Sequence, residues 1–142
     1  MNKIFLYCDG GARGNPGPAA IGVAIYNEKN NLLAKFGKQI GSTTNNKAEY
    51  QAVIAGLEKA KEFENCKIEV YLDSQLVVNQ LIGKYKIKEQ DLKSLFWQVR
   101  DKIFALGGKV TFKYIPRRRN KAADLLVNKA LDGKLDGEKF LG

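Results

Sequence analysis

Residues 3–26 read KIFLYCDGGARGNPGPAAIGVAIY, and this stretch decides what kind of fold the chain can adopt. Residues 3–9 (KIFLYCD) are rich in strand formers and end on an aspartate, and residues 10–18 (GGARGNPGP) are a turn. Residues 19–26 (AAIGVAIY) then form a second strand. After a loop at residues 27–31 (NEKNN), residues 32–40 (LLAKFGKQI) read as a third. Three strands joined by short turns predict an antiparallel meander. Outward from it, Ser42-Thr43-Thr44-Asn45 is a capping-type run, and Tyr50, Val53, Ile54, Leu57 and Ala60 form the apolar stripe of a helix.

Further along, residues 67–72 (KIEVYL) predict a strand ending on Asp73, followed by a short helix at 74–82 stopped by Gly83. Leu92, Leu95, Phe96, Val99, Ile103 and Leu106 form a second helical stripe, closed by Gly107-Gly108. A fifth strand at 109–115 ends at Pro116, and a last helix covers 120–131. The order βββ-α-β-α-α-β-α predicts an α/β fold: a five-stranded mixed sheet flanked by helices. One domain spans 1–132, and the glycine- and charge-rich residues 133–142 read as a short tail. Cys8 and Cys66 read as small apolar residues rather than a disulfide framework. The tyrosines and phenylalanines fall in the stripes and are assigned to the core, as is Trp97 beside the second helical stripe. No apolar run suits a signal peptide or a membrane span, so a cytoplasmic monomer is expected.

The chain of 142 residues contains no histidine, and 24 Lys and Arg against 15 Asp and Glu give it a net charge of +9. The missing histidine excludes Ser-His-Asp and Cys-His nucleophiles, imidazole bases and His-ligated zinc. The positive surplus fits a polyanionic partner, or equally a merely soluble surface. Four acids stand at element ends: Asp9 and Asp73 at the ends of strands, Glu49 and Asp124 in the first turns of helices. Taken singly, each is an ordinary turn or helix-terminus charge. Taken together, they form an oxygen-only donor set of the kind that holds Mg²⁺. Two such ions about 4 Å apart activate water against a phosphodiester.

Four blocks carry a family likeness: YCDGGARGNPGPAAIGV (7–23), TTNNKAEYQAVIAGL (43–57), VYLDSQLVV (70–78) and PRRRNKAADLLVNKAL (116–131). In order, spacing and content they resemble type 1 ribonuclease H. The resemblance implies the ribonuclease H-like fold and cleavage of the RNA strand of RNA–DNA hybrids by two Mg²⁺ ions, or Mn²⁺ in their place. The products would carry 5′-phosphate and 3′-hydroxyl ends. Asp9, Glu49, Asp73 and Asp124 fall on the family's metal-binding carboxylates. Asn15, Asn45, Asn46 and Gln75 fall on minor-groove contacts to the hybrid, and Thr44 on a contact to a DNA phosphate. Gly10 opens a turn that would let backbone approach the RNA.

Two departures from the family pattern stand out. Many members carry a histidine in the loop before the last helix, where this chain has Arg117, Arg118 and Arg119. These arginines would either draw the cleaved phosphate or a metal ion away or simply contact phosphate. Residues 83–92 (GKYKIKEQDL) replace the long basic, Trp-rich protrusion of many bacterial members, so the grip on a hybrid would shift to residues 117–121 and the lysines of 84–93. Double-stranded RNA is a further candidate substrate, and a non-cleaving hybrid-binding module is the alternative from another class.

Overall fold

The meander forms as expected in the computed structural model, which describes residues 2–63 and 66–134. Strands β1 (Lys3–Ala12), β2 (Gly17–Asn27) and β3 (Leu32–Thr43) pair antiparallel. β4 (Lys67–Leu72) adds to the free edge of β1 in parallel, and β5 (Val110–Tyr114) adds to β4, giving the order β3-β2-β1-β4-β5. The helices are α1 (Asn45–Ala60), α2 (Gln75–Leu81), α3 (Gln90–Ala105) and α4 (Lys121–Leu131), with a 3-10 turn at Arg117–Arg119. Residues 135–142 of the expected tail lie outside the described residues. No helix among the described residues is long and apolar enough to cross a membrane.

The first two strands run further into the glycine-rich stretch than their composition predicts. Gly10, Gly11 and Ala12 pair with Ile21, Ala20 and Ala19, which narrows the turn to 13–16. Ladder bonds come from the backbone, so glycine weakens a strand without ending it.

The two faces of the sheet are covered by different helices. On one face α1 and α3 bury Leu6, Cys8, Val23, Phe36, Tyr50 and Leu57 in the main core. Thr44 caps α1, its hydroxyl accepting from the Lys47 N–H at 3.3 Å, a contribution of about 1 kcal/mol. On the other face α4 packs over β2 with a small cluster of Ala20, Val127 and Ala130. Alternation along the strands sends Phe5, Tyr7, Tyr26 and Tyr71 to this second face. There they lie half-buried against one another, with Tyr7 and Tyr71 centroids 4.9 Å apart.

The aromatic assignment to the core therefore holds for Tyr50 and Phe36, and for Phe63, Phe96 and Phe112, which pack half-buried against it, but fails for others. Trp97 is 63% exposed and Phe104 87% exposed, and Tyr85 and Tyr114 are exposed as well. Leu92, Val99 and Ile103 are the buried residues of α3, and Trp97 and Phe104, seven residues apart, fall on the opposite side of a 3.6-residue turn. Cys8 is fully buried as expected, Cys66 is half-buried, and no disulfide joins them.

α4 comes so close to the sheet because Gly22 has no side chain: a Cβ there would sit 2.3 Å from the Ala123 carbonyl oxygen. Backbone cannot give way as a flexible side chain can. Gly22→Ala is therefore expected to cost about 3 kcal/mol or more, read as a fall in the urea midpoint at unchanged m. A midpoint equal to that of the wild type would refute the close packing.

Candidate active site

Asp9 and Asp73 owe their proximity to strand register. The parallel ladder pairs Tyr7 with Tyr71, and each aspartate lies two residues further on, so both point to one face. Asp73 follows the end of β4, whereas Asp9, expected to end its strand, lies inside β1, which runs on to Ala12 because the glycines after it still pair. Glu49 comes from the first turns of α1, which rest on β1 because residue 10 is glycine: a Cβ there would lie 2.2 Å from the Ala48 carbonyl oxygen. The Gly10 N–H donates to Glu49 Oε1 at 2.5 Å, which holds that carboxylate against β1. The result is a group in which Asp9, Glu49 and Asp73 offer carboxylate oxygens all within 4.8 Å of one another.

Bringing these charges together out of water is costly, and their acidities record it. Burial first, and then the charge of Asp73, push the Asp9 carboxyl up to about 7. Burial and the charge of Asp9 raise Glu49 well above the usual carboxylate range. Glu49 Oε2 is buried with no hydrogen-bond partner. Hard divalent ions take oxygen donors, and an unpartnered carboxylate oxygen beside two more carboxylates fits such an ion.

Asp124 differs from the other three. It lies half-buried in the first turn of α4 and lines the same cavity of about 410 Å³, but it stands outside the close group of three. Its Oδ1 accepts from the Arg117 guanidinium at 3.3 Å. Arg117 also lines the cavity, and Asp124 first, then Asp9 and Asp73, hold its proton more tightly than usual.

The residues expected to contact substrate spread along one rim and beyond it. Asn45 and Asn46 line the cavity, as does Gly10, though Gly10 is buried and its N–H is spent on Glu49. Asn15 and Asn45 are engaged through their amide oxygens: Asn15 Oδ1 accepts from the Asn45 N–H at 2.9 Å, and Asn45 Oδ1 from the Ala12 N–H at 2.8 Å. Thr44 caps α1. Gln75 is exposed at the start of α2, and Arg118 and Arg119 are exposed; none of these three lines the cavity. Lys84, Lys86 and Lys88 are exposed on the α2–α3 link, also away from it.

The sequence does not single out two polar residues, Arg13 and Asn120. Arg13 bonds Asp132 at 2.7 Å and Asn128 at 3.4 Å, tying the β1–β2 turn to the far end of α4. Asn120 donates to both the Cys8 carbonyl and Asp73. An asparagine ahead of a helix signals a cap, but Asn120 makes no side-chain cap bond. Pattern alone therefore points away from its real contacts.

A family model described as Reverse transcriptase-like matches residues 7–130. LC11-RNase H1, isolated from compost, superposes with a TM-score of 0.89 at 47% identity, covering 94% of this chain and 98% of its own. That protein has also been solved in complex with an RNA/DNA hybrid, at 46% identity over 92% of this chain and 98% of its own, with TM-score 0.89. Ribonuclease HI of Halobacterium salinarum is 40% identical over 92% of this chain and 65% of its own length. A bifunctional protein of Mycobacterium tuberculosis is 39% identical over 92% of this chain but only 36% of its own length, so this chain spans about a third of that relative.

In the ion-free protein Asp9 keeps its proton up to about pH 7, whereas in the unfolded chain an aspartate loses it near 4. Between those values the folded form binds more protons, so its stability falls as pH rises through the window. Glu49 acts in the same direction. Glu69 is held below the usual carboxylate range, its burial outweighed by hydrogen bonds from Tyr71 and Lys113, and it acts only at lower pH. In EDTA the melting temperature is expected to drop by several degrees between about pH 5 and pH 8, and millimolar Mg²⁺ at pH 8 should restore it. A melting temperature in EDTA that rises over this interval would contradict the assignment.

Proposed function

The chain belongs to the type 1 ribonuclease H family, and from that premise we propose that it is an endoribonuclease cutting the RNA strand of RNA–DNA hybrids to 5′-phosphate and 3′-hydroxyl ends. Asp9, Glu49, Asp73 and Asp124 hold two Mg²⁺ ions, with Mn²⁺ as a substitute. The observation that carries this reading is the convergence of three carboxylates, two of them buried and one with an unpartnered oxygen. When bound, such ions neutralise charge on the scissile phosphate and acidify water.

The remaining side chains bind and orient. Asn15 and Asn45 spend their amide oxygens inside the protein, which leaves their NH₂ groups to donate. Donors of this kind suit the acceptor atoms and 2′-hydroxyls of a wide minor groove, and the 2′-hydroxyl distinguishes RNA from DNA. Asn46 extends that rim, Gln75 contacts the hybrid from outside the cavity, the Gly10 turn lets backbone approach the RNA, and Thr44 contacts a DNA phosphate. The net charge of +9 favours a polyanion. Residues 1–132 form the catalytic unit, and we place the enzyme in the cytoplasm as a monomer.

Arg117 takes the part that a loop histidine plays in other members, as charge rather than as base, since arginine keeps its proton at neutral pH. Its place on the cavity beside Asp124 suits it to draw the cleaved phosphate outward. Arg117→Ala is expected to slow steady-state turnover about tenfold, the worth of roughly 1.4 kcal/mol, with a smaller loss in single-turnover cleavage. Equal losses in both would remove the release role.

The reading as a whole is tested with labelled RNA–DNA, RNA–RNA and DNA–DNA duplexes incubated with Mg²⁺ or Mn²⁺. The hybrid is expected to be cut on its RNA strand. Asp9→Asn should lose at least about 100-fold in rate, since even partners of metal ligands are worth that much. Cutting of RNA–RNA as well would widen the substrate range. Binding of the hybrid with no cutting at all would leave a binding module instead.

A further inference from the structure

The ladder between β1 and β4 has its last registered pair at Tyr7 and Tyr71. Asp9, inside β1, and Asp73, just past the end of β4, lie beyond it, where no further rung joins these two strands, although their carboxylates repel one another. The side chain of Asn120 fills that gap. Its amide nitrogen donates to the Cys8 carbonyl and to Asp73 Oδ2, each at 2.9 Å. Both partners are acceptors, which fixes the NH₂ end of the amide at this position.

The cost of this arrangement is visible. Asn120 is 0% exposed, and its Oδ1 is buried without a partner. An orphaned acceptor costs about 1–3 kcal/mol, and helix capping does not offset it, because the side chain makes no cap bond. The two donated bonds are what the side chain supplies. The Asn120 carbonyl also accepts from the Asp124 N–H at 3.0 Å. One residue therefore touches the backbone beside Asp9, the carboxylate of Asp73 and the backbone of Asp124.

We propose that Asn120 is a positioning residue for the metal-binding carboxylates. It holds Asp73 at a set distance from the end of β1, occupies one oxygen of that carboxylate and leaves the other for a divalent ion. The site is then spared reorganisation when the ion arrives. This inference rests on the ribonuclease H reading above.

The test measures Mn²⁺ binding to the substrate-free protein by calorimetry, together with kcat and KM on a hybrid, for wild type, Asn120→Ala and Asn120→Ser, with Asp73→Asn as the control. Asn120→Ala is expected to lose about tenfold or more in Mn²⁺ affinity and to fall in kcat. Asn120→Ser, which keeps one donor, should lose less, and KM for the hybrid should stay within about twofold. A folded variant with wild-type Mn²⁺ affinity and wild-type kcat, whatever its melting temperature, would overturn the proposal. If neither variant folds, the side-chain NH₂ signals of Asn120 in ¹⁵N-labelled wild type decide. They should shift as Mg²⁺ is titrated in, and signals indifferent to Mg²⁺ would overturn the proposal equally. Wild type that neither binds Mn²⁺ nor cuts a hybrid would instead overturn the ribonuclease H reading, and this inference with it.

Discussion

The parallel backbone hydrogen bonds that set Tyr7 opposite Tyr71 place two aspartates side by side on one face toward the carboxyl ends of adjacent strands, where open α/β sheets present their ligand sites. A slip of one residue between β1 and β4 would turn one of these carboxylates to the opposite face. Register here is held by the apolar alternation of Ile4, Leu6 and Cys8 against Ile68, Val70 and Leu72, all buried in the main core. The hydrophobic effect, acting on residues that take no part in chemistry, thus sets the spacing of residues that do.

Glycines then admit the helices. Gly10 lets the first turns of α1 rest on β1, which brings Glu49 against the strand, and Gly22 lets α4 rest on β2, which brings Asp124 to the same cavity. In both places the alternative is a methyl group driven into a carbonyl oxygen. Charges are thereby packed more closely than solvation favours, and the tightly held protons of Asp9 and Glu49 measure that frustration. Structures store strain of this kind at sites that expect a ligand of opposite charge.

Much of this was legible in the chain itself. The element order, the four carboxylates and the missing histidine all follow from pattern and composition, because strand alternation, helical stripes and punctuation by glycine are local signals. Local signals also explain the failures. The pairing of Gly10–Ala12 is hidden in the sequence because glycine reads as a stop even where its backbone pairs. Trp97 and Phe104 were placed in the core because hydrophobicity alone does not say which side of α3 meets the sheet. Asn120 went unnoticed because its partners, Cys8 and Asp73, lie 112 and 47 residues away in the chain, and nothing near position 120 announces them. The pairing of Asp124 with Arg117 belongs to the same class: their separation of seven positions is visible, but the 3-10 turn that folds one back on the other is not.

The uneven division of apolar contact between the two faces of the sheet has a thermodynamic consequence. α1 is anchored in the main core by Tyr50, Val53 and Leu57, whereas α4 rests on a cluster whose buried members are Ala20, Val127 and Ala130. Polar ties from Gln39 to the Ala130 carbonyl and from Arg13 to Asp132 fasten its far end. Elements held by little apolar area open first in native-state hydrogen exchange. Although α4 also buries Ala123 and Leu126, it is then expected to open ahead of α1. Asp124 rides on a small cooperative unit that can breathe while the other three carboxylates stay fixed in the more stable part of the sheet.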